Sequence, residues 1–180
     1  MFAYLDKKFC ELEKTLRILA SYPARVLIYS PGIDPKLAAR LKSASLTFAT
    51  EPVDLARLGT QCDVGVCHAN HGVASALLLA GVPLLLLPGH LEQYLLAMNF
   101  QKMGAGLLVL PEARPKDYAG ALRRLLTEPA FRQKARAFSA KYANENPQQR
   151  VEQIADRCEE LIARSKSAPV RPAAYSKPAG

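Results

Sequence analysis

Most of the chain alternates between short apolar runs and longer segments whose apolar residues recur at helical spacing. The run at residues 25–29 is rich in β-branched side chains and predicts a strand. Before it, Phe9, Leu12, Leu16 and Leu19 predict a helix whose other face is polar. Alternation of this kind is typical of a parallel sheet joined by crossover helices.

The same pattern places the remaining elements. Strands are predicted at residues 2–5, 25–29, 46–49, 63–67, 84–87 and 107–110. Helices are predicted from Phe9 until Pro23 ends the first one, and then at residues 35–41, 54–58, 72–79, 91–103, 115–126 and 130–142. A final helix carries an apolar stripe made of Val151, Ile154, Cys158, Leu161 and Ile162. The predicted fold class is therefore α/β, a parallel sheet of about six strands with flanking helices and a helical C-terminus.

Charge and composition refine this picture only slightly. The net charge is +8, which suits an anionic ligand or surface. From Ser165 the chain is rich in Ser, Pro, Ala and Lys, so we predict one domain at residues 1–164 and a basic, disordered tail at 165–180. A solvated tail is preferred to one that contacts a membrane surface, and no motif supports nucleic-acid binding.

Other whole-chain signals are weak. The longest apolar stretch is interrupted by Gly81 and Pro83 and is too short to span a bilayer, and no targeting segment is visible, so we expect a soluble, cytoplasmic protein. The cysteines form no paired motif and lie among apolar residues, which predicts buried free thiols. They are Cys10, Cys62, Cys67 and Cys158.

Candidate chemistry lies where strands end, because open parallel sheets bind ligands at the carboxyl ends of their strands. Residues 67–75 leave a predicted strand and enter a predicted helix, whose first N–H groups form an anion site. Gly72 lets a phosphate approach the backbone, and His68 or His71 could donate a hydrogen bond to it. A simple strand–helix turn with two surface histidines explains the pattern equally well.

A second segment of interest is residues 88–93. Glu92 and Gln93 place a carboxylate beside an amide, which together can bind adjacent sugar hydroxyls. A polar helix start is the alternative explanation. Cys67, His68 and His71 could also gather around a metal ion, but they lack the paired spacing typical of zinc sites, so no metal is predicted.

The two segments, with residues 76–83 between them, resemble the donor domain of the glycosyltransferases that include the plant and macrolide UDP-sugar enzymes and the UDP-glucuronosyltransferases. That family's pattern is His-x-Gly-x-Gly/Asn-Ser/Thr, then Ala-Leu-x-x-Gly-Val-Pro, then Pro-x-x-x-Asp/Glu-Gln. Residues 68–73, 76–83 and 88–93 follow it without a gap in the spacing.

The resemblance implies one Rossmann-like half of a GT-B fold, the half that binds the nucleotide sugar. It assigns His68 to the donor pyrophosphate, the backbone of Gly72, Val73 and Ala74 to the same group, and Glu92 and Gln93 to the sugar. The loop at residues 51–53 corresponds to the base-binding segment. The full set of predicted donor-binding residues is Pro52, Val53, His68, Asn70, His71, Gly72, Val73, Ala74, His90, Glu92 and Gln93.

Several positions depart from the family pattern. Asn70 replaces a glycine, Val73 replaces a hydroxyl residue, Ala76 replaces the ribose-binding acid of the plant enzymes, and Thr50 replaces a base-stacking aromatic residue. Each lost hydrogen bond to a charged group could cost about 1.5–3 kcal/mol. An alternative function is therefore a non-catalytic binding or assembly module that kept the fold and lost the donor.

The family's general base and acceptor pocket lie in the other domain, so the resemblance implies no catalytic residue in this chain and no cofactor. We expect a donor domain that transfers a hexose from a UDP- or TDP-sugar to an acceptor hydroxyl once an acceptor-binding domain joins it. Alone, the chain is expected to be inactive. The final helix is expected to fold back, to form a homodimer or to meet an acceptor-domain partner.

Overall fold

The structure is a computed structural model that describes residues 1–110 and 117–167. The strands are β1 (Phe2–Tyr4), β2 (Val26–Tyr29), β3 (Leu46–Phe48), β4 (Gly65–Cys67), β5 (Leu84–Leu86) and β6 (Gly106–Leu108). The helices are α1 (Leu12–Ser21), α2 (Pro35–Leu41), α3 (Leu55–Gly59), α4 (His71–Leu79), α5 (Leu91–Lys102), α6 (Tyr118–Thr127), α7 (Pro129–Lys141) and α8 (Pro147–Ser167).

The six strands form one parallel sheet in the order β3-β2-β1-β4-β5-β6. Strand β1 lies at its centre, where Tyr4 pairs with Tyr29 of β2 on one side and with Cys67 of β4 on the other. The chain direction across the sheet reverses between β1 and β4, and this is the doubly wound Rossmann-like arrangement. The predicted α/β fold class is confirmed.

Both faces of the sheet are covered, which explains why the central strands are apolar throughout. Ala3, Val66 and Leu85 face a cluster that includes apolar residues of α1 and α6. Their neighbours Cys67 and Leu86 face a second cluster that includes residues of α4, α5 and α7. Helices on both faces fix the strand ends, and with them the loops that follow.

The predicted element boundaries agree with the structure to within a few residues. Asp34, Asp54 and Asp117 accept hydrogen bonds from backbone N–H groups and begin α2, α3 and α6. The helix predicted from Pro115 begins at Tyr118, and residues 115–116 lie outside the described part of the chain.

The chain divides into two compact units, Met1–Ala143 and a second from Asn144 onward. The second unit contains α8, which extends to Ser167 and so includes the first three residues of the predicted tail. Residues 168–180 of the predicted tail lie outside the described residues. In the described part of the chain, no helix is both long and apolar enough to cross a membrane.

The cysteines correct one expectation. Cys67 is buried and Cys62 is half-buried, but Cys10 and Cys158 are exposed, and all four thiols are free. Cys10 lies in the connection between β1 and α1, while Cys158 belongs to the stripe of α8, whose other members are also exposed. Apolar neighbours in sequence therefore did not predict burial at these two positions.

Candidate functional site

A cavity of about 330 Å³ lies at the carboxyl ends of β1, β4 and β5. Three separate stretches of chain form its walls, one after each of these strands. The lining residues are Tyr4, Asp6, Lys8, Phe9, His68, Asn70, Gly89, His90 and Gln93. Because β1 and β4 flank the point where the sheet reverses direction, this is the place where an open α/β sheet binds its ligand.

The turn after β4 leads into α4 through an unusual backbone conformation. Ala69 has a φ of 60°, in the left-handed region, and Asn70 then caps the helix with its carbonyl group. The first helical bond joins the N–H of Ala74 to the carbonyl oxygen of Asn70 at 2.9 Å. The N–H groups of His71, Gly72 and Val73 therefore have no carbonyl partner within the helix.

The surface at the start of α4 is open, although His71, Gly72 and Val73 do not themselves line the cavity. A Cβ atom added at Gly72 would meet nothing within 4 Å, and both His71 and Gly72 are exposed. Ala74 differs from the predicted phosphate-binding set, because it is buried and its N–H group is already used. The side-chain oxygen of Asn70 is buried and has no hydrogen-bond partner among the described residues.

His68 is a buried histidine whose ring is fully engaged by the backbone. Nδ1 lies 2.7 Å from the carbonyl oxygen of Leu87, and Nε2 accepts the N–H of Asp6 at 3.0 Å. Since a carbonyl oxygen can only accept, the proton is on Nδ1. Burial lowers the pKa of His68, although the bond to Leu87 and the charge of Asp6 oppose this. In this state the ring has no N–H left for a pyrophosphate.

The segment after β5 brings two predicted residues to the cavity. The side-chain carbonyl of Gln93 accepts the N–H of Gly89 at 2.8 Å, so its NH₂ group remains available as a donor. His90 precedes the first residue of α5 and is exposed on the cavity wall. Glu92 is exposed and does not line the cavity.

The loop between β1 and α1 is a wall that the sequence reasoning missed. It contributes Asp6, Lys8 and Phe9, and it is closed by a hydrogen bond of 2.7 Å from the Lys8 N–H to the Asp6 carboxylate. The signal was present: Lys7 and Lys8 follow the first predicted strand directly. No motif marks this loop, whereas the predicted binding segments all follow later strands.

The predicted base-binding segment lies apart from this cavity. Val53 lines a different hollow of about 300 Å³ beside α3, together with Asp54, Arg57, Leu58 and Gln61. Pro52 is exposed and lines neither space. A role for Pro52 and Val53 in base binding stays a prediction.

The alternative metal site finds no support in the described residues, which contain no group of three or more His, Cys, Asp or Glu side chains suited to hold an ion. Cys67 faces the apolar cluster under α4, and its burial raises the pKa of the thiol to about 12.

Comparisons with known proteins agree with this architecture. No protein-family model matches the chain. A stretch of 84 residues, 47% of this chain, is 29% identical to 7% of the sterol 3-beta-glucosyltransferase of Vanderwaltozyma polyspora.

Solved structures match over most of the chain. The glycosyltransferase VinC, in complex with dTDP, has a TM-score of 0.67 at 23% identity, over 79% of this chain and 37% of VinC. The spinosyn forosaminyltransferase SpnP has a TM-score of 0.70 at 24% identity, over 90% of this chain and 43% of SpnP. The chain thus spans less than half the length of these enzymes. It has the fold of the C-terminal-type half of GT-B glycosyltransferases, as the motif resemblance implied.

Proposed function

We propose that this chain binds a nucleotide sugar, a UDP- or TDP-sugar, in the cavity at the ends of β1, β4 and β5. It serves as the donor half of a glycosyltransferase and delivers a hexose to an acceptor hydroxyl when an acceptor-binding domain is present. The observation that carries this proposal is that residues of both motif segments, His68 and Asn70 from one and His90 and Gln93 from the other, line a single cavity at the switch point of the sheet.

The diphosphate fits the side of the cavity nearest α4. The free N–H groups of His71, Gly72 and Val73 and the positive end of the helix dipole favour an anion there. Gly72 leaves room for the phosphate oxygens. Lys8, on the opposite loop, adds an ammonium group to the same cavity.

The sugar fits the side formed by the segment after β5. Because the carbonyl of Gln93 is bonded to Gly89, its NH₂ group can only donate, and a sugar hydroxyl must accept from it. His90 lies beside it on the cavity wall, and Glu92 lies one residue away on the exposed surface. On this basis we assign Gln93 to the sugar hydroxyls, while the assignment of Glu92 rests on the motif resemblance, because Glu92 does not line the cavity.

The contribution to catalysis is electrostatic. When the bond between sugar and diphosphate breaks, negative charge accumulates on the departing nucleoside diphosphate. Donors that are already in place at the start of α4, together with Lys8, stabilise that charge without having to reorganise. The general base and the acceptor pocket belong to the acceptor-binding domain in this proposal.

Calorimetric titration with UDP and TDP tests the proposal, and the variant Gly72→Asp makes it specific. A carboxylate in the first turn stabilises a helix but repels a phosphate at the same place. We therefore expect Gly72→Asp to keep or raise its melting temperature and to weaken nucleotide binding at least about tenfold. Ala130→Asp is the matched control, because Ala130 is likewise exposed and is the second residue of its helix, α7.

The outcomes separate the alternatives. Binding to the wild type and to Ala130→Asp, but not to Gly72→Asp, supports the site. Equal binding to all three proteins would mean that the nucleotide binds away from Gly72. If the wild type binds neither UDP nor TDP, the non-catalytic binding or assembly module becomes the better explanation.

A further inference from the structure

We infer that His68 is a positioning residue that holds the β1–α1 loop in place, so that Lys8, and not His68, offers a side-chain positive charge to the ligand's phosphates. This inference rests on the proposed function and goes further, because it gives His68 a positioning role in place of the phosphate contact that the family resemblance implies. It also assigns a role to a loop that the motifs do not include.

The hydrogen bonds of His68 occupy both nitrogens of its ring. Its ring spans two backbone groups from different parts of the chain, the N–H of Asp6 and the carbonyl of Leu87. The ring is 4% exposed and lies edge-on against Phe9, with 4.7 Å between the ring centroids. These contacts fix both the tautomer and the orientation of the ring, and they leave it no free donor.

The β1–α1 loop is organised around Asp6. The N–H of Asp6 is held by His68, while the Asp6 carboxylate accepts the N–H of Lys8 and the Asp6 carbonyl accepts the N–H of Phe9 at 3.0 Å. Leu5, immediately before the loop, donates its N–H to Tyr29 of β2. Among these bonds the one to His68 is the link from the loop to the turn after β4, 62 residues later in the chain.

The charged side chains of the cavity favour Lys8 as the group that meets a phosphate. Besides His68, the ionisable residues that line the cavity are Tyr4 of β1, Asp6 and Lys8 of the loop, and His90 of the segment after β5. The Asp6 carboxylate is engaged by the loop backbone, whereas Lys8 is exposed on the cavity wall. An ammonium on a flexible stem suits a phosphate as a point charge.

The two roles for His68 predict opposite effects of acid. A protonated imidazole carries a hydrogen on each nitrogen and cannot accept the N–H of Asp6. If His68 positions the loop, protonation detaches it and lowers the affinity for nucleotide. If His68 itself binds phosphate, protonation supplies a donor and a charge and raises the affinity.

The first experiment measures how firmly the β1–α1 loop is held in the ligand-free protein. Amide hydrogen exchange at Asp6 is compared in the wild type, His68→Gln and His68→Asn. The carbonyl of a glutamine reaches the position of Nε2 and can accept the N–H of Asp6, whereas an asparagine reaches only the position of Nδ1. We expect protection in the wild type and in His68→Gln, and exchange at least about tenfold faster in His68→Asn. Unchanged protection of Asp6 in folded His68→Asn would overturn the positioning role.

The second experiment titrates the same proteins with UDP, together with Lys8→Gln and Lys7→Gln. Lys7 is the matched control, because it is exposed on the same loop but its side chain lies near Gly32 and does not line the cavity. We expect Lys8→Gln to bind at least about tenfold more weakly and Lys7→Gln to stay within about threefold of the wild type. His68→Asn should bind weakly, and His68→Gln should bind nearly as well as the wild type.

The pH arm repeats the UDP titration at pH 7.5 and pH 5.5. His68→Gln keeps His90 and the ligand's phosphates and removes the ionisable ring of His68, so the difference between the two proteins reports on His68. We expect the wild type to lose more affinity on acidification than His68→Gln. A wild-type gain relative to His68→Gln would instead make His68 a phosphate ligand.

Failure of the proposed function and failure of the inference about His68 and Lys8 give different results. If the wild type does not bind UDP, the proposed function and the role of Lys8 fall together, while the hold of His68 on the loop is still decided by the exchange of Asp6. If UDP binds, but Lys8→Gln is unaffected and His68→Gln loses binding while Asp6 stays protected, the proposed function stands and this inference is wrong.

Discussion

The imidazole of His68 donates from Nδ1 to the carbonyl oxygen of Leu87 at 2.7 Å, which ties the end of β4 to the end of β5. The bond is buried, and it leaves Nε2 to accept from Asp6. One side chain thus joins three neighbouring strand ends of the sheet. Its protonation state therefore bears on stability as well as on binding.

We predict that the free energy of unfolding falls as the pH is lowered through about 6.5. Burial lowers the pKa of His68 in the folded chain below its usual 6.5, so the unfolded chain takes up a proton first. The stability contributed by neutral His68 is present above that pH and is lost below it. Urea unfolding at pH 7.5 and 5.5 checks this, with His68→Gln as the comparison. An equally large loss in His68→Gln would assign the effect to other groups.

We predict that Ala69→Val is disproportionately destabilising. Ala69 is 2% exposed with a φ of 60°, and a β-branched side chain adopts that conformation only under strain. We expect a loss of about 2 kcal/mol or more, because crowding adds to the strain. Ala97→Val is the control, since Ala97 is buried in the same apolar cluster but has helical backbone. If chemical denaturation shows that both variants lose the same free energy of unfolding, the backbone conformation of Ala69 is not the cause.

We predict that Gly106→Ala weakens the pairing of β5 with β6. A Cβ atom at Gly106 would lie 2.7 Å from the carbonyl oxygen of Leu84, which is backbone and cannot move aside cheaply. The expected loss is about 1–3 kcal/mol, as for other overpacked sites. Gly72→Ala adds the same atoms in open space and should leave the melting temperature unchanged or slightly higher. Thermal unfolding of the two variants side by side decides between them.

We predict a clear order of thiol reactivity. Cys10 and Cys158 are exposed and should react first with iodoacetamide near neutral pH. Burial raises the pKa of Cys62, which is half-buried, and raises that of Cys67 to about 12. Cys62 should therefore react slowly, and Cys67 only after unfolding, because the thiolate is the reactive form. Mass spectrometry after timed labelling reads out each site, and rapid modification of native Cys67 would contradict the buried environment.

Much of the fold follows from local pattern. Apolar runs such as residues 84–87 predict central strands, and the helices predicted to start at Pro35 and Asp54 begin at Pro35 and Leu55 in the structure. The two motif segments come together in space because both follow strands of one parallel sheet. The alternation of elements predicts such a sheet, whereas the order of its strands is seen only in the structure.

The details of the site depend on contacts between residues that are far apart in the sequence, which local patterns do not predict. The bond between His68 and Asp6 joins residues 62 apart, and no local pattern distinguishes a buried, doubly bonded histidine from an exposed one such as His71. The family motif places a glycine where this chain has Asn70, yet the left-handed residue is Ala69. Backbone conformation at one turn depends on how the strand and helix pack, and composition alone does not reveal it.

The cavity takes its walls from stretches that follow β1, β4 and β5, which lie side by side near the middle of the sheet. No pair of these strands encloses the space without the third. A ligand held there therefore favours the conformations in which all three remain paired, and its binding energy resists the opening of the sheet's interior. Exchange of amide hydrogens in these three strands should slow when the cavity is filled. The exchange rate in the edge strand β3 should stay unchanged.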